Sequence, residues 1–325
     1  MSTWRNSLRV DPVPRLLKAP DPALAFFVRR DVLDEPQPDP HALWDLPEAR
    51  RLLARQRASG AWEYPKKGGA LQPYNNFAVL ETWRSLGILI DMYAYDRSHP
   101  AIERAAAYLY SCQSPQGDLR GILGNQYMPY YHSAIMELLV KAGFADDRHV
   151  RRGLDWLLTM RQDDGGWIIP AQAVPASKKT HRFWRGAPLP PDRTLPFSHL
   201  ATGMVLRGLV THPAYRARPE VRAACMLLKG RMFEPDRYND RRGREYWLKF
   251  GYPFWWPNIL TVLEMLARLG VTSDDREVAK ALAWFLDHQR GDGLWDTGYG
   301  HGSRAARNEY WVALSICQVL RAFLR

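Results

Sequence analysis

Residues 149–167 read HVRRGLDWLLTMRQDDGGW, and this stretch decides the fold. Val150, Leu154, Leu157 and Leu158 recur at helical spacing with charged residues between them, the pattern of an amphipathic helix that buries one face. The helix runs into Gln162, Gly165, Gly166 and Trp167. A glutamine near a helix end can hydrogen-bond the free carbonyls there, a glycine takes the left-handed backbone beyond it, and a tryptophan covers the turn. The same order returns at 47–62, PEARRLLARQRASGAW, and at 276–295, REVAKALAWFLDHQRGDGLW. Residues 101–119 keep Gln113 and Gly117 but carry Leu119 where Trp would stand, and a further copy around Cys225 to Tyr238 keeps only the helix.

A second set of helices alternates with the first: FAVLETWRSLGILI, SAIMELLVKAGF, LATGMVLRGLV, PNILTVLEMLARLG and VALSICQVLRAFL. These are apolar nearly all round, so they are the buried ones. A Pro-aromatic mark precedes four of them: Pro73-Tyr74-Asn75-Asn76, Pro129-Tyr130-Tyr131-His132, Pro196-Phe197-Ser198-His199 and Pro253-Phe254-Trp255-Trp256. A fifth, Asn308-Glu309-Tyr310-Trp311, has lost the proline. The period of roughly 55 to 67 residues is too long for an ordinary helical-hairpin solenoid. Proline is tolerated in a helix's first turn, and Gly87, Gly143 and Gly270 supply stop signals. The expected class is all-α.

With 325 residues, 46% hydrophobic, and 13 Trp, 15 Tyr and 11 Phe, the chain has material for a core and is neither disordered nor collagen-like. Cys112, Cys225 and Cys317 lack paired spacing and read as reduced residues of a cytoplasmic protein. The first twenty residues lack the apolar run of a secretory signal, and no segment has 18 uncharged apolar residues. The net charge of +11 comes from 36 Arg and 9 Lys against 34 acids, which favours anionic partners without choosing among them.

The Gln-to-Trp blocks at Gln56/Trp62, Gln162/Trp167 and Gln289/Trp295, alternating with buried helices, resemble the repeats of squalene/hopene cyclases and of protein prenyltransferase β subunits. The resemblance implies an α/α toroid of about five helical hairpins over residues 46–325, with inner helices around a central cavity. Residues 1–45 are expected as an N-terminal helical cap. In such an array the five marks converge, placing Tyr74, Asn76, Tyr130, Phe197, Phe254, Trp256, Tyr310 and Trp311 around an aromatic funnel. Helix N-termini there favour an anionic group, and aromatic faces favour an apolar chain or a developing cation. An isoprenoid or polycyclic lipid fits both.

His132, His199 and Glu309 are the catalytic candidates; the two histidines share a repeat position, and no third ligand accompanies them, so no metal is assigned. Glu81 and Glu137 also share a position, either as acids with raised pKa that face a ligand or as ion pairs with Arg84 and Lys141. Arg304 and Arg307 lie in Tyr299–Trp311, a stretch that resembles the diphosphate grip of the prenyltransferases. Arg182 lies in the basic-aromatic insert Pro170–Pro196, and a second such insert spans Asp236–Pro253.

The departures from the family are equally informative. The Asp-x-Asp-Asp set of proton-initiated cyclases is missing, because Asp146-Asp147, Asp163-Asp164 and Asp274-Asp275 all fall in turns. No cysteine has an Asp two residues before it, so the zinc-binding pattern of protein prenyltransferases is missing too. The expected function is a terpenoid cyclase/prenyltransferase-like protein that holds an isoprenoid or polycyclic lipid, either as a non-standard cyclase or transferase or as a binding scaffold that has lost catalysis. A polysaccharide lyase or hydrolase of α/α-barrel type is the further alternative. No cofactor is expected, Mg2+ entering only with a diphosphate substrate; nucleic acid has no recognised motif here, and peripheral membrane contact is left open.

Overall fold

The computed structural model describes residues 3–64, 75–238, 242–254, 256–300 and 302–324, without the side chains of 3, 303 and 304. Fourteen α-helices lie among them: α1 (Val13–Leu17), α2 (Pro22–Asp31), α3 (Pro47–Leu53), α4 (Phe77–Tyr93), α5 (Pro100–Ser111), α6 (Pro129–Leu139), α7 (Arg148–Thr159), α8 (His181–Arg185), α9 (His199–Thr211), α10 (Pro213–Arg216), α11 (Pro219–Lys229), α12 (Ile259–Arg268), α13 (Arg276–Asp287) and α14 (Ser303–Phe323). Among the described residues the only β features are isolated bridges, Gln113 with Leu119 and Gly121 with Gly124. The chain is all-α, with buried and amphipathic helices alternating as the sequence pattern predicts.

The chain forms two compact units, one spanning His41–Ala224 and the other built from the N-terminal forty residues together with most of the chain after Ala224. In the first unit α6 lies against α4, α7 and α9, and all eleven of its residues are buried. In the second, α14 lies against α1, α2 and α12.

One local device repeats through both units. The indole Nε1 of Trp62, Trp167 and Trp295 donates to the carbonyl ten residues earlier: Leu52 (2.8 Å), Leu157 (2.7 Å) and Phe285 (2.7 Å). Gln56 Nε2 donates to Gly60 O (3.0 Å) and to Ala101 O (2.8 Å) in the first turn of α5. Gln113 does the same with Gly117 O (2.7 Å) and His149 O (2.9 Å), in the first turn of α7. The ends of α3 and α5 are therefore stapled to the start of the next amphipathic helix. Gly60, Gly117, Gly165 and Gly293 make these turns with φ between +86° and +107°, where a Cβ is disfavoured. Gln289 Nε2 finds Gly293 O (3.0 Å), and its second carbonyl is Val10 O (2.8 Å), just before α1. Gln162 Nε2 differs, taking Asp192 O (2.5 Å) and Leu195 O (3.0 Å) of the insert.

The N-terminal segment is anchored to α14. Asp21 caps α2 through Oδ1, and its Oδ2 accepts from Arg307 Nε and Trp311 Nε1, both at 3.0 Å.

Helix boundaries depart from the sequence expectation in two ways. Gly87 does not stop α4, which runs through it to Tyr93 and ends at Ala94 in the left-handed region (φ 52°). The Pro-aromatic marks also do not share one register. Pro129 opens α6, but α9 and α12 start at His199 and Ile259 behind the caps Ser198 and Asn258, and Tyr310 and Trp311 lie about two turns inside α14. Side-chain caps fix these starts, because they satisfy first-turn amides that proline merely tolerates losing.

Candidate functional site

His132, in the first turn of α6, is fully buried. Its Nδ1 accepts from the Leu119 N–H (3.1 Å), so the proton is on Nε2, which donates to Gly153 O of α7 (2.9 Å). Leu119 occupies the Trp place of its repeat, and in the neighbouring repeats the Trp62 and Trp167 N–H groups go instead to Thr82 and Thr202 hydroxyls (3.0 and 2.8 Å). His132 thus joins a turn to a helix with both ring nitrogens engaged. Gly153 is needed for this close approach, since a Cβ there would lie 2.8 Å from His132 Nε2.

Burial, partly offset by the Gly153 carbonyl and by Asp118, pushes the imidazole pKa down to about 4. The unfolded chain takes up this proton near pH 6.5. Between pH 6.5 and 4 the unfolded state binds more protons, so stability falls as pH drops through that window, by roughly 3 kcal/mol from this group. Urea midpoints of His132→Gln measured from pH 7 to pH 4 should lack that step, and an unchanged step would show that another group causes it.

Glu137, also on α6, is bound on two sides. Lys141 Nζ lies 2.8 Å from Oε1 and Arg207 Nη2 of α9 lies 3.0 Å from Oε2, while Lys141 also reaches Asp91 of α4 (3.0 Å). Burial raises the carboxyl pKa, but Arg207 and Lys141 overcome it and hold the group down at about 2. Glu137 is an ionised strut between inner helices and does not carry the raised pKa of a general acid. Glu81 sits 3.7 Å from both Arg55 and Arg84.

Glu309 lies within α14 and is held in a fork by Arg290, Nη1 to Oε1 at 3.3 Å and Nη2 to Oε2 at 3.0 Å. Arg290 also binds Asp292 (2.9 Å), and these two carboxylates raise the guanidinium pKa further. His199 is buried at the start of α9. Asn76 caps α4, accepting from Val79 N (3.4 Å) and from the Tyr108 hydroxyl (3.3 Å).

Of the aromatic candidates, Tyr130 packs its ring 4.2 Å from that of Tyr131, and Trp311 stacks on Tyr252 at 5.1 Å. Phe197, Trp256 and Tyr310 are half-buried. The Phe197 N–H donates to Asp164 Oδ2 (2.8 Å). Arg307 is committed to Asp21, and Arg182 is exposed on α8. Tyr74 and the Arg304 side chain lie outside the described residues.

The acidic pairs are turn and cap residues, as expected: Asp147 caps α7, Asp275 caps α13, and Asp164 accepts from Gly166 N (3.2 Å) as well as Phe197 N. Among the described residues no three His, Cys, Asp or Glu side chains converge on a point that could hold a metal, and no helix is long and apolar enough to cross a membrane. The residues that sequence reasoning missed are Arg207 and Asp91 around Glu137, and buried Asp118, ion-paired to Arg120 (2.8 Å) near His132.

Residues 81–180, from α4 into the insert after α7, match the squalene-hopene cyclase C-terminal domain family. A squalene–hopene cyclase of Bradyrhizobium diazoefficiens is 25% identical over 178 residues, 54% of this chain and 26% of that protein. The chain spans about a quarter of the length of that relative. Among solved structures, an apo variant of a type II terpene cyclase from Scytonema superposes with a TM-score of 0.47 at 15% identity, covering 98% of this chain and 97% of the other. A second variant of that cyclase, in complex with geranylgeranyl dihydroxybenzoate, gives 0.46 at 13% identity and 99% coverage of both. In sequence the chain is terpenoid-cyclase-like.

Proposed function

We propose that this chain is a terpenoid-cyclase-like protein that binds an isoprenoid or related polycyclic lipid among its inner helices. The observation that carries the reading is the cyclase family match over residues 81–180, which falls on two of the buried helices, α4 and α6, and on the repeat device that fixes them. The aromatic side chains of Trp83, Tyr130 and Tyr131 on those helices supply the chemistry an apolar, electron-rich chain prefers. The engagement of His132, Glu137 and Glu309 favours the scaffold form of the reading over a cyclase or transferase that uses them: each would have to break an internal tie before moving a proton. A cytoplasmic location accords with the three free cysteines. Magnesium would enter only with a diphosphate ligand.

Native mass spectrometry of the purified protein, incubated with squalene and with farnesyl and geranylgeranyl diphosphates, tests the proposal. A stoichiometric adduct is expected with at least one of the three; a protein that takes up none of them overturns it.

A further inference from the structure

A groove of about 810 Å3 runs along α7, from exposed Arg148 and Arg152 to the buried Trp156 and Met160. Arg148, Arg152 and Trp156 line it at successive i, i+4 positions, so they form one stripe down the helix. The stripe is cationic at the helix N-terminus and aromatic toward the C-terminus, where Trp156 meets Tyr127 with ring centroids 5.6 Å apart and Met160 follows. Tyr127 is held in place: its hydroxyl donates to Gln116 Oε1 (3.1 Å), and the Arg120 guanidinium lies 5.2 Å above its ring.

The arginines are not used by the fold. Arg148 and Arg152 are exposed and have no ion pair among the described residues, whereas Arg151 is paired with Asp146 and Arg193 donates to Thr159 O (2.7 Å). The equivalent positions elsewhere are occupied internally. In α5, Arg104 Nη2 donates to Gln56 Oε1 (2.9 Å), and in α13, Lys280 Nζ sits 4.7 Å over the Phe233 ring. The oxygen that would receive Arg152 in the same way, Gln113 Oε1, is buried without a donor, and Arg152 lines the groove instead. Asp155, the acid in the groove, is engaged by the Tyr215 hydroxyl (2.7 Å) and lies 3.8 Å from Arg218.

We propose that this groove binds an organic phosphate with an apolar body. The Arg148 and Arg152 guanidiniums hold the phosphate, helped by the positive end of the α7 dipole, and Tyr127, Trp156 and Met160 cover the apolar part. Two guanidinium forks one helical turn apart suit the several oxygens of a phosphate better than a single carboxylate edge. The axial rise from Arg152 to Met160 is about 12 Å, room for a chain of roughly eight carbons beyond the head. This site does not depend on the lipid-binding reading of the inner helices.

Isothermal titration with octyl phosphate, inorganic phosphate and octanol tests it on the intact chain. Octyl phosphate should bind at least tenfold more tightly than either comparator, and raising salt should weaken it. The double variant Arg148→Glu/Arg152→Glu, at exposed positions, should lose at least tenfold in affinity while keeping the parent melting temperature. Tyr127→Ala should weaken octyl phosphate but not inorganic phosphate. No binding of octyl phosphate, equal affinity for octanol, or unchanged affinity in the double variant overturns the proposal. Co-sedimentation with phosphatidate vesicles separates the sources: retention on them marks a lipid headgroup as the natural phosphate, and binding of octyl phosphate alone marks a soluble ester.

Discussion

Glu137→Ala should destabilise the protein by about 3–5 kcal/mol, the cost of stripping a carboxylate from the buried Arg207 guanidinium. Arg207 and Lys141 both point their charge at this carboxylate, at 3.0 and 2.8 Å, and the buried Arg207 cannot be rehydrated without opening the contacts of α6 with α9. Lys141 keeps Asp91 when the glutamate is removed. A double-mutant cycle with Arg207→Met should return a coupling of at least about 1 kcal/mol, because the pair replaced together leaves fewer bare charges than either change alone. Additive single effects, measured as urea midpoints at constant m, would show that the carboxylate and the guanidinium act independently. The strut also has a pH signature. Its carboxyl is held at about pKa 2 against an ordinary value of 4.5, so its contribution is complete above pH 4.5 and is lost as pH falls toward 2.

Trp167→Ala is the second large effect, expected at about 3–5 kcal/mol. The ring is wholly buried, its Nε1 satisfies Leu157 O near the end of α7, and its backbone N–H is taken by Thr202 on α9. Alanine leaves a cavity where amphipathic helix, turn and inner helix meet, and Leu157 O loses the indole while keeping the Met160 N–H (3.1 Å). Trp167→Leu should cost clearly less, because Leu119 already fills the corresponding place one repeat earlier. Equal losses for the two variants, read by chemical denaturation, would contradict the view that volume at this turn dominates. A loss of this size approaches the whole stability of an ordinary domain.

What could be read from the sequence was what is local. The Trp tie closes within ten residues, so the block is visible in 149–167 and recurs at 47–62 and 276–295, where one more residue separates Gln from Trp. The Lys141 partner of Glu137 is also visible, four residues along the helix. Arg207, which lies 70 residues from Glu137, and Asp91, 50 residues from Lys141, carry no such signal, and without them the acid facing a ligand stays open beside the ion pair with Lys141. His132 shows the same limit. Its repeat position marks it, but Leu119 N and Gly153 O, which occupy both nitrogens, come from other elements. The aromatic marks misled on register, since Ser198 and Asn258 rather than the prolines set where α9 and α12 begin. Arg148 and Arg152 look in sequence like an ordinary solvated face; the groove beside them is formed by residues near 116–127 and 190–193 that only the fold brings alongside.

Lipid binding by a cyclase-like helical array, with the buried acids and His132 serving structure, is open to direct measurement. Native mass spectrometry tests it most directly, on protein with and without organic extraction, then offered squalene, farnesyl diphosphate and geranylgeranyl diphosphate. The expected result is a co-purified or added isoprenoid at one molecule per chain, weakened by Tyr130→Ala and retained in Glu309→Gln, whose carboxylate is committed to Arg290. An extracted, folded protein that takes up none of the three lipids would contradict the account.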